Sequence, residues 1–105
     1  MSRSSHVSVL LESLGTSEKA RRFTAARSFL RQRLVMTRDT PIGRDFLFKG
    51  DAAEIKAALR DLVDVEHGFP GGLQFDFTAF NDLFLLRIVG LPSRQGDIAA
   101  YFEGE

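Results

Sequence analysis

The chain has no cysteine and no tryptophan, and only three prolines, two histidines and one tyrosine in 105 residues. Without cysteine there is no disulfide framework, no thiolate nucleophile and no thiolate metal site. The same absence fits a reducing compartment. No apolar run approaches the roughly 20 residues of a membrane-spanning helix. The most apolar N-terminal stretch, Val7 to Leu14, is interrupted by Glu12 and lacks the context of a signal-peptide cleavage site. These features predict a soluble, cytoplasmic protein with no membrane partner.

Catalytic signatures are equally scarce. His6 and His67 lie far apart in the sequence. No serine sits in a nucleophile turn. The glycine-rich stretch 68–72 is followed by a strand pattern rather than a helix, and no Lys-Ser/Thr pair follows it, so neither phosphate-binding fingerprint is met. The carboxylates Asp61, Asp64 and Glu66 fall near the end of one helical stretch. We therefore expect no enzymatic activity, no metal and no cofactor. A small enzyme or ligand carrier built on Asp64, Glu66 and His67 would need a pocket at that helix end.

Phenylalanine is abundant. Ten of the residues are Phe, and apolar residues make up 44% of the chain, enough for one globular domain spanning 1–105 with a polar, disordered start at 1–5. The most apolar segment is Leu73 to Val89. It alternates with a period of two on either side of Asn81-Asp82, which predicts a β-hairpin with a type I′ turn. Counting outward pairs Phe80 with Leu83, Thr78 with Leu85, Asp76 with Arg87 and Phe75 with Ile88. One face then carries Phe75, Phe77, Ala79, Phe84, Leu86 and Ile88. The other mixes Gln74, Asp76 and Thr78 with Leu85, Arg87 and Val89, and Asp76 opposite Arg87 reads as a cross-strand ion pair.

The remaining elements follow from local signals. Val7, Leu10, Leu11 and Leu14 have helical spacing, and Gly15 follows as a stop; Val7, Val9 and Leu11 also alternate as in a short strand, and the helix is the preferred reading. Thr16-Ser17 caps a second helix that runs to about Gln32, with Phe23, Ala26 and Leu30 on one stripe. Residues 34–38 and 44–49 read as a hairpin around the loop 39–43. Asp51 with Glu54 resembles a capping box for a helix whose stripe is Ile55, Ala58, Leu59, Leu62 and Val63. Arg60 and Asp64 on that helix are spaced as an i,i+4 ion pair. The helix is expected to pack on the Phe75–Ile88 face of the hairpin. Asp97 caps a short terminal helix that docks Ile98, Tyr101 or Phe102. The predicted fold is an α+β two-layer sandwich: an antiparallel sheet of about four strands packed by helices, in the order α-α-β-β-α-β-β-short α.

Charge is balanced but segregated. Residues 1–49 hold ten basic and four acidic residues, a net of plus six, and residues 50–105 hold the opposite balance. Two functional readings follow. In the first, Phe80, Leu83, Leu85 and Val89 form an apolar patch on the second hairpin face, and the protein is a non-enzymatic interaction or regulatory module that pairs with itself as a homodimer or with another protein. In the alternative, the helix at 17–33 binds nucleic acid, with Arg21, Arg22, Arg27, Arg31 and Arg33 contacting phosphates.

Overall fold

A computed structural model describes residues 6–103; the expected disorder at 1–5 lies outside the described residues. Helix α1 (His6–Leu14) ends at Gly15, whose φ of +65° is the left-handed conformation that glycine adopts without strain. Helix α2 (Glu18–Gln32) begins where the Ser17 hydroxyl accepts the Ala20 N–H at 3.2 Å. Strands β1 (Leu34–Thr40) and β2 (Gly43–Lys49) are followed by helix α3 (Ala52–His67), which the Asp51 carboxylate caps by accepting the Glu54 N–H at 3.1 Å. Strands β3 (Gln74–Phe80) and β4 (Leu83–Val89), a 3-10 turn at Pro92–Arg94 and helix α4 (Gln95–Ala99) complete the elements of the described residues.

The result is the α+β sandwich, with one four-stranded antiparallel sheet in the order β1-β2-β4-β3. The β3–β4 register is the one counted from the turn, pair for pair. The turn itself differs from type I′: only Asn81, at φ 58°, is left-handed, and Asp82 is not. The first hairpin is tighter than the loop read from its sequence, because the strands run up to Thr40 and Gly43 and leave Pro41-Ile42 as a two-residue turn. Strand β1 also carries a bulge between Leu34 and Met36. Gly43 pairs with Val89 of β4, and a Cβ at Gly43 would overlap the Ile88 carbonyl oxygen. Only glycine allows β2 and β4 to approach there.

Strands β2 and β4 form the middle of the sheet. Their inward side chains, Phe46, Phe48, Phe84, Leu86 and Ile88, are fully buried with Val7, Leu10, Phe23, Leu30, Ile55, Leu59 and Leu62 of the helices. Fully burying each such side chain contributes about 1.5–3 kcal/mol. The C-terminal segment reaches into this core. Phe102 stacks edge-on against Phe46 and Phe48 at centroid distances of 5.0 and 5.3 Å, and Tyr101 contacts Phe23, Phe75 and Phe102. Ile98, Tyr101 and Phe102 are all buried, rather than one of them docking alone.

That filling explains a departure from the expected packing. Helix α3 packs beside α2, and its stripe continues past Val63, which is only half-buried, to Val65 and Glu66. It does not cover all of the hairpin face: Phe77 on edge strand β3 stays 44% exposed and Ala79 is exposed. Asp64 pairs with Lys19 of α2 at 3.9 Å instead of with Arg60. Helix α4 starts at Gln95, so Asp97 lies in its first turn rather than at its cap, and it accepts the His6 N–H at 3.3 Å. No described helix is long and apolar enough to cross a membrane.

Candidate interaction surface

Among the described residues the helices share one face of the sheet, since every sheet residue in the buried core points to that side. The opposite face is built by the alternate residues of the same strands. The pairing stacks these residues into rows across the sheet. One row is Met36, Leu47, Leu85 and Thr78, in the strand order β1, β2, β4, β3. The next is Arg38, Asp45, Arg87 and Asp76. Lys49, Leu83 and Phe80 form a row beyond the apolar one, and Gly43, Val89 and Gln74 a row beyond the charged one. Met36 is 61% exposed and Phe80 45%; Leu47, Leu83, Leu85 and Val89 are half-buried. A shallow hollow of about 160 Å³ lies between Met36, Arg38, Asp45, Leu47 and Leu85.

The charged row is tightly joined at its centre. Arg87 donates to Asp45 through Nε at 2.8 Å and Nη2 at 3.1 Å, and Arg38 Nη2 donates to the same carboxylate at 3.1 Å. The two guanidiniums cover Asp45, leaving 4% of its side chain exposed. The Arg87 hydrogen bonds hold the Asp45 carboxyl below its usual range against the opposing effect of its burial, with Arg38 adding to the depression. The same contact raises Arg87. The expected Asp76–Arg87 pair is therefore replaced. Arg87 turns toward β2, the neighbour that hairpin counting does not reveal, and Asp76 is left exposed at the rim as the outer negative charge.

Of the residues singled out from sequence, Phe80, Leu83, Leu85 and Val89 lie together on this face. Met36, Leu47, Arg38 and Asp45 complete it and were missed, because only the β2–β4 pairing brings them there. The arginines of α2 do not form one surface. Arg21, Arg22 and Arg31 are exposed, and Arg22 pairs with Glu18 at 2.9 Å. Arg33 lies 3.6 Å over the Phe29 ring and donates to the Phe29 carbonyl. Arg27 is buried, donating to the carbonyls of Tyr101 at 2.9 Å and Glu103 at 3.0 Å, so it anchors the C-terminal segment and is withdrawn from any phosphate-contacting set.

A second polar constellation lies inside the protein. Glu66 Oε1 accepts the Leu73 N–H at 2.7 Å, Oε2 accepts the Tyr101 hydroxyl at 2.7 Å, and His6 Nε2 lies 2.9 Å from both oxygens. Arg94 Nη2 lies 2.7 Å from His6 Nδ1. A guanidinium only donates, so Nδ1 accepts and the ring proton on Nε2 points to Glu66. Burial, reinforced by the Glu66 carboxylate, pushes the Tyr101 hydroxyl well above its ordinary pKa. A cavity of about 360 Å³ adjoins Glu66 and is lined by His67, Phe69, Leu73 and Phe75 among others. Both Glu66 oxygens are taken up by the fold, so the knot ties α1, α3, the start of β3 and the C-terminal segment together. Asp64, Glu66 and His67 do not converge: Glu66 points inward, while Asp64 and His67 are exposed. Among the described residues no group of three or more His, Asp or Glu side chains is placed to hold a metal ion.

No protein-family model matches the chain, and no curated protein or solved structure matches it significantly.

Proposed function

We propose that this chain is a non-enzymatic protein-interaction module that self-associates through the helix-free face of its sheet. The observation that carries the reading is the juxtaposition on that face of an apolar row (Met36, Leu47, Leu85), with Leu83 and Phe80 beyond it, and a charged row. A contiguous apolar patch rimmed by paired charges is the usual form of a protein-docking surface. Four strands spaced about 4.8 Å apart, with seven residues rising about 3.4 Å each, give a face of about 19 by 24 Å. That is small for a permanent dimer and suits a weak, reversible one with Kd in the micromolar range. A regulatory role in the cytoplasm fits such exchangeable association.

Sedimentation equilibrium of the wild type and of Leu85→Lys tests this. The expected result is a concentration-dependent monomer–dimer equilibrium that the substitution abolishes without loss of fold by circular dichroism. A wild type that stays monomeric at several hundred micromolar overturns the reading, as does a dimer indifferent to Leu85, which would point to edge-to-edge strand pairing.

A further inference from the structure

We propose that the second copy on this face is related to the first by a two-fold axis parallel to the strands, passing between β2 and β4, so that Arg38 of each copy meets Asp76 of the other. The inference rests on the self-association proposed above and specifies its geometry.

The charges carry it. Read across the sheet, the row Arg38, Asp45, Arg87, Asp76 alternates plus, minus, plus, minus. Two sheets stacked face to face with two-fold symmetry have two simple arrangements. If the axis runs along the row, each strand lies over its own copy, and Arg38 faces Arg38 while Asp76 faces Asp76. If the axis runs parallel to the strands, the strand order reverses between copies. Arg38 then faces Asp76, and Asp45 faces Arg87, at all four positions. An alternating row with an even number of members is complementary to itself only in this second arrangement.

The apolar rows agree with the choice. A strand-parallel axis keeps each row over its own reversed copy, so Leu47 meets Leu85 of the second copy and Leu85 meets Leu47. An axis along the charged row would lay Met36, Leu47 and Leu85 over Thr40, Gly43 and Val89, which offer one large apolar side chain. An axis along the apolar row would place Arg87 over Leu83 and Asp76 over Phe80, where they lose water without gaining partners, and would leave Asp45 over Lys49 as the one opposite-charge contact. Packed sheets cross at about 30°, which displaces the outer ends of the row by about 4 Å. Arg38 spans that displacement readily, since 73% of its side chain is free of its own protomer.

Charge reversal separates the arrangements. Arg38→Glu, Asp76→Lys, and the two combined are compared with the wild type and with Leu85→Lys by sedimentation equilibrium. Met36→Lys, at a largely exposed position, stands in for Leu85→Lys if that variant does not fold. Each single reversal turns two symmetric attractions into repulsions and is expected to weaken the dimer at least tenfold. The double variant restores opposite charges at both contacts and is expected within about threefold of wild type. With the axis along the row, a single reversal replaces one like pair by another and leaves the dimer unchanged. Dissociation by the apolar substitution, combined with indifference to the single reversals or no recovery in the double variant, overturns the geometry while keeping the interface. No dimer in any sample overturns the underlying reading.

Discussion

Replacing Tyr101 by Phe removes one hydroxyl and keeps the ring. The ring contacts to Phe23, Phe75 and Phe102 survive, so no cavity opens. What is lost is a 2.7 Å O–H···O bond to the Glu66 carboxylate, both partners being buried. A hydrogen bond to a charged acceptor contributes about 1.5–3 kcal/mol. Glu66 keeps His6 Nε2 and the Leu73 N–H, and Phe needs no partner, so the lower half applies: a loss of about 1.5–2 kcal/mol. For a domain of this size each kcal/mol lowers Tm by about 4–8 °C. Urea titration followed by circular dichroism measures it, with an unchanged slope. The pH dependence adds a second signature. The folded pKa of Tyr101 lies well above 10.0, so above about pH 10 the unfolded chain releases a proton that the native protein keeps. This stabilising contribution is complete below that pH and is lost as pH rises toward the folded value. The gap between wild type and Tyr101→Phe therefore narrows above about pH 10, by up to about 1.4 kcal/mol per unit. A gap below about 0.5 kcal/mol at neutral pH, or one that widens in base, would refute the role given to the hydroxyl.

Asp45→Asn should cost about 1–2 kcal/mol at neutral pH, because it weakens the bonds from two partly exposed arginines. The folded carboxyl is depressed below 3.8, so this contribution is complete above that value and fades as pH falls through the folded pKa; acid denaturation of the two proteins should converge. Gly43→Ala should cost more than about 2 kcal/mol and disturb the β2–β4 amides in NMR spectra, since its Cβ meets the Ile88 carbonyl. Arg27→Ala should destabilise by about 2–4 kcal/mol in urea titration by freeing two carbonyls of the C-terminal segment, and should leave retention on heparin unchanged.

The local signals were legible. Ser17 and Asp51 cap where their side chains promise, Gly15 stops α1, and period-two alternation around Asn81-Asp82 fixed the β3–β4 register and the two faces of that hairpin. Non-local pairings were not. That β2 lies against β4 is written in no short segment, so the redirection of Arg87 to Asp45 and the recruitment of Met36, Leu47 and Arg38 to the open face could not be read. The Glu66 knot joins residues 60 and 35 positions apart, and Glu66 on a helix end reads as solvated. Periodicity places Arg27 beside the Phe23–Leu30 stripe without saying what lies over it, so from sequence it reads with its basic neighbours. The one available cue was Phe102 and Tyr101 near the end of the described chain, apolar residues that need cover and bring the segment capping Arg27.

A second copy on the sheet face opposite the described helices would perturb that face as the protein is concentrated. Amide spectra recorded from about 10 µM to about 1 mM, spanning the expected micromolar Kd, detect this residue by residue. The expected result is concentration-dependent shifts concentrated at Met36, Arg38, Asp45, Leu47, Leu85 and Arg87, with α2 and α3 unmoved. Spectra that do not change with concentration, or shifts centred on the arginines of α2, would contradict it.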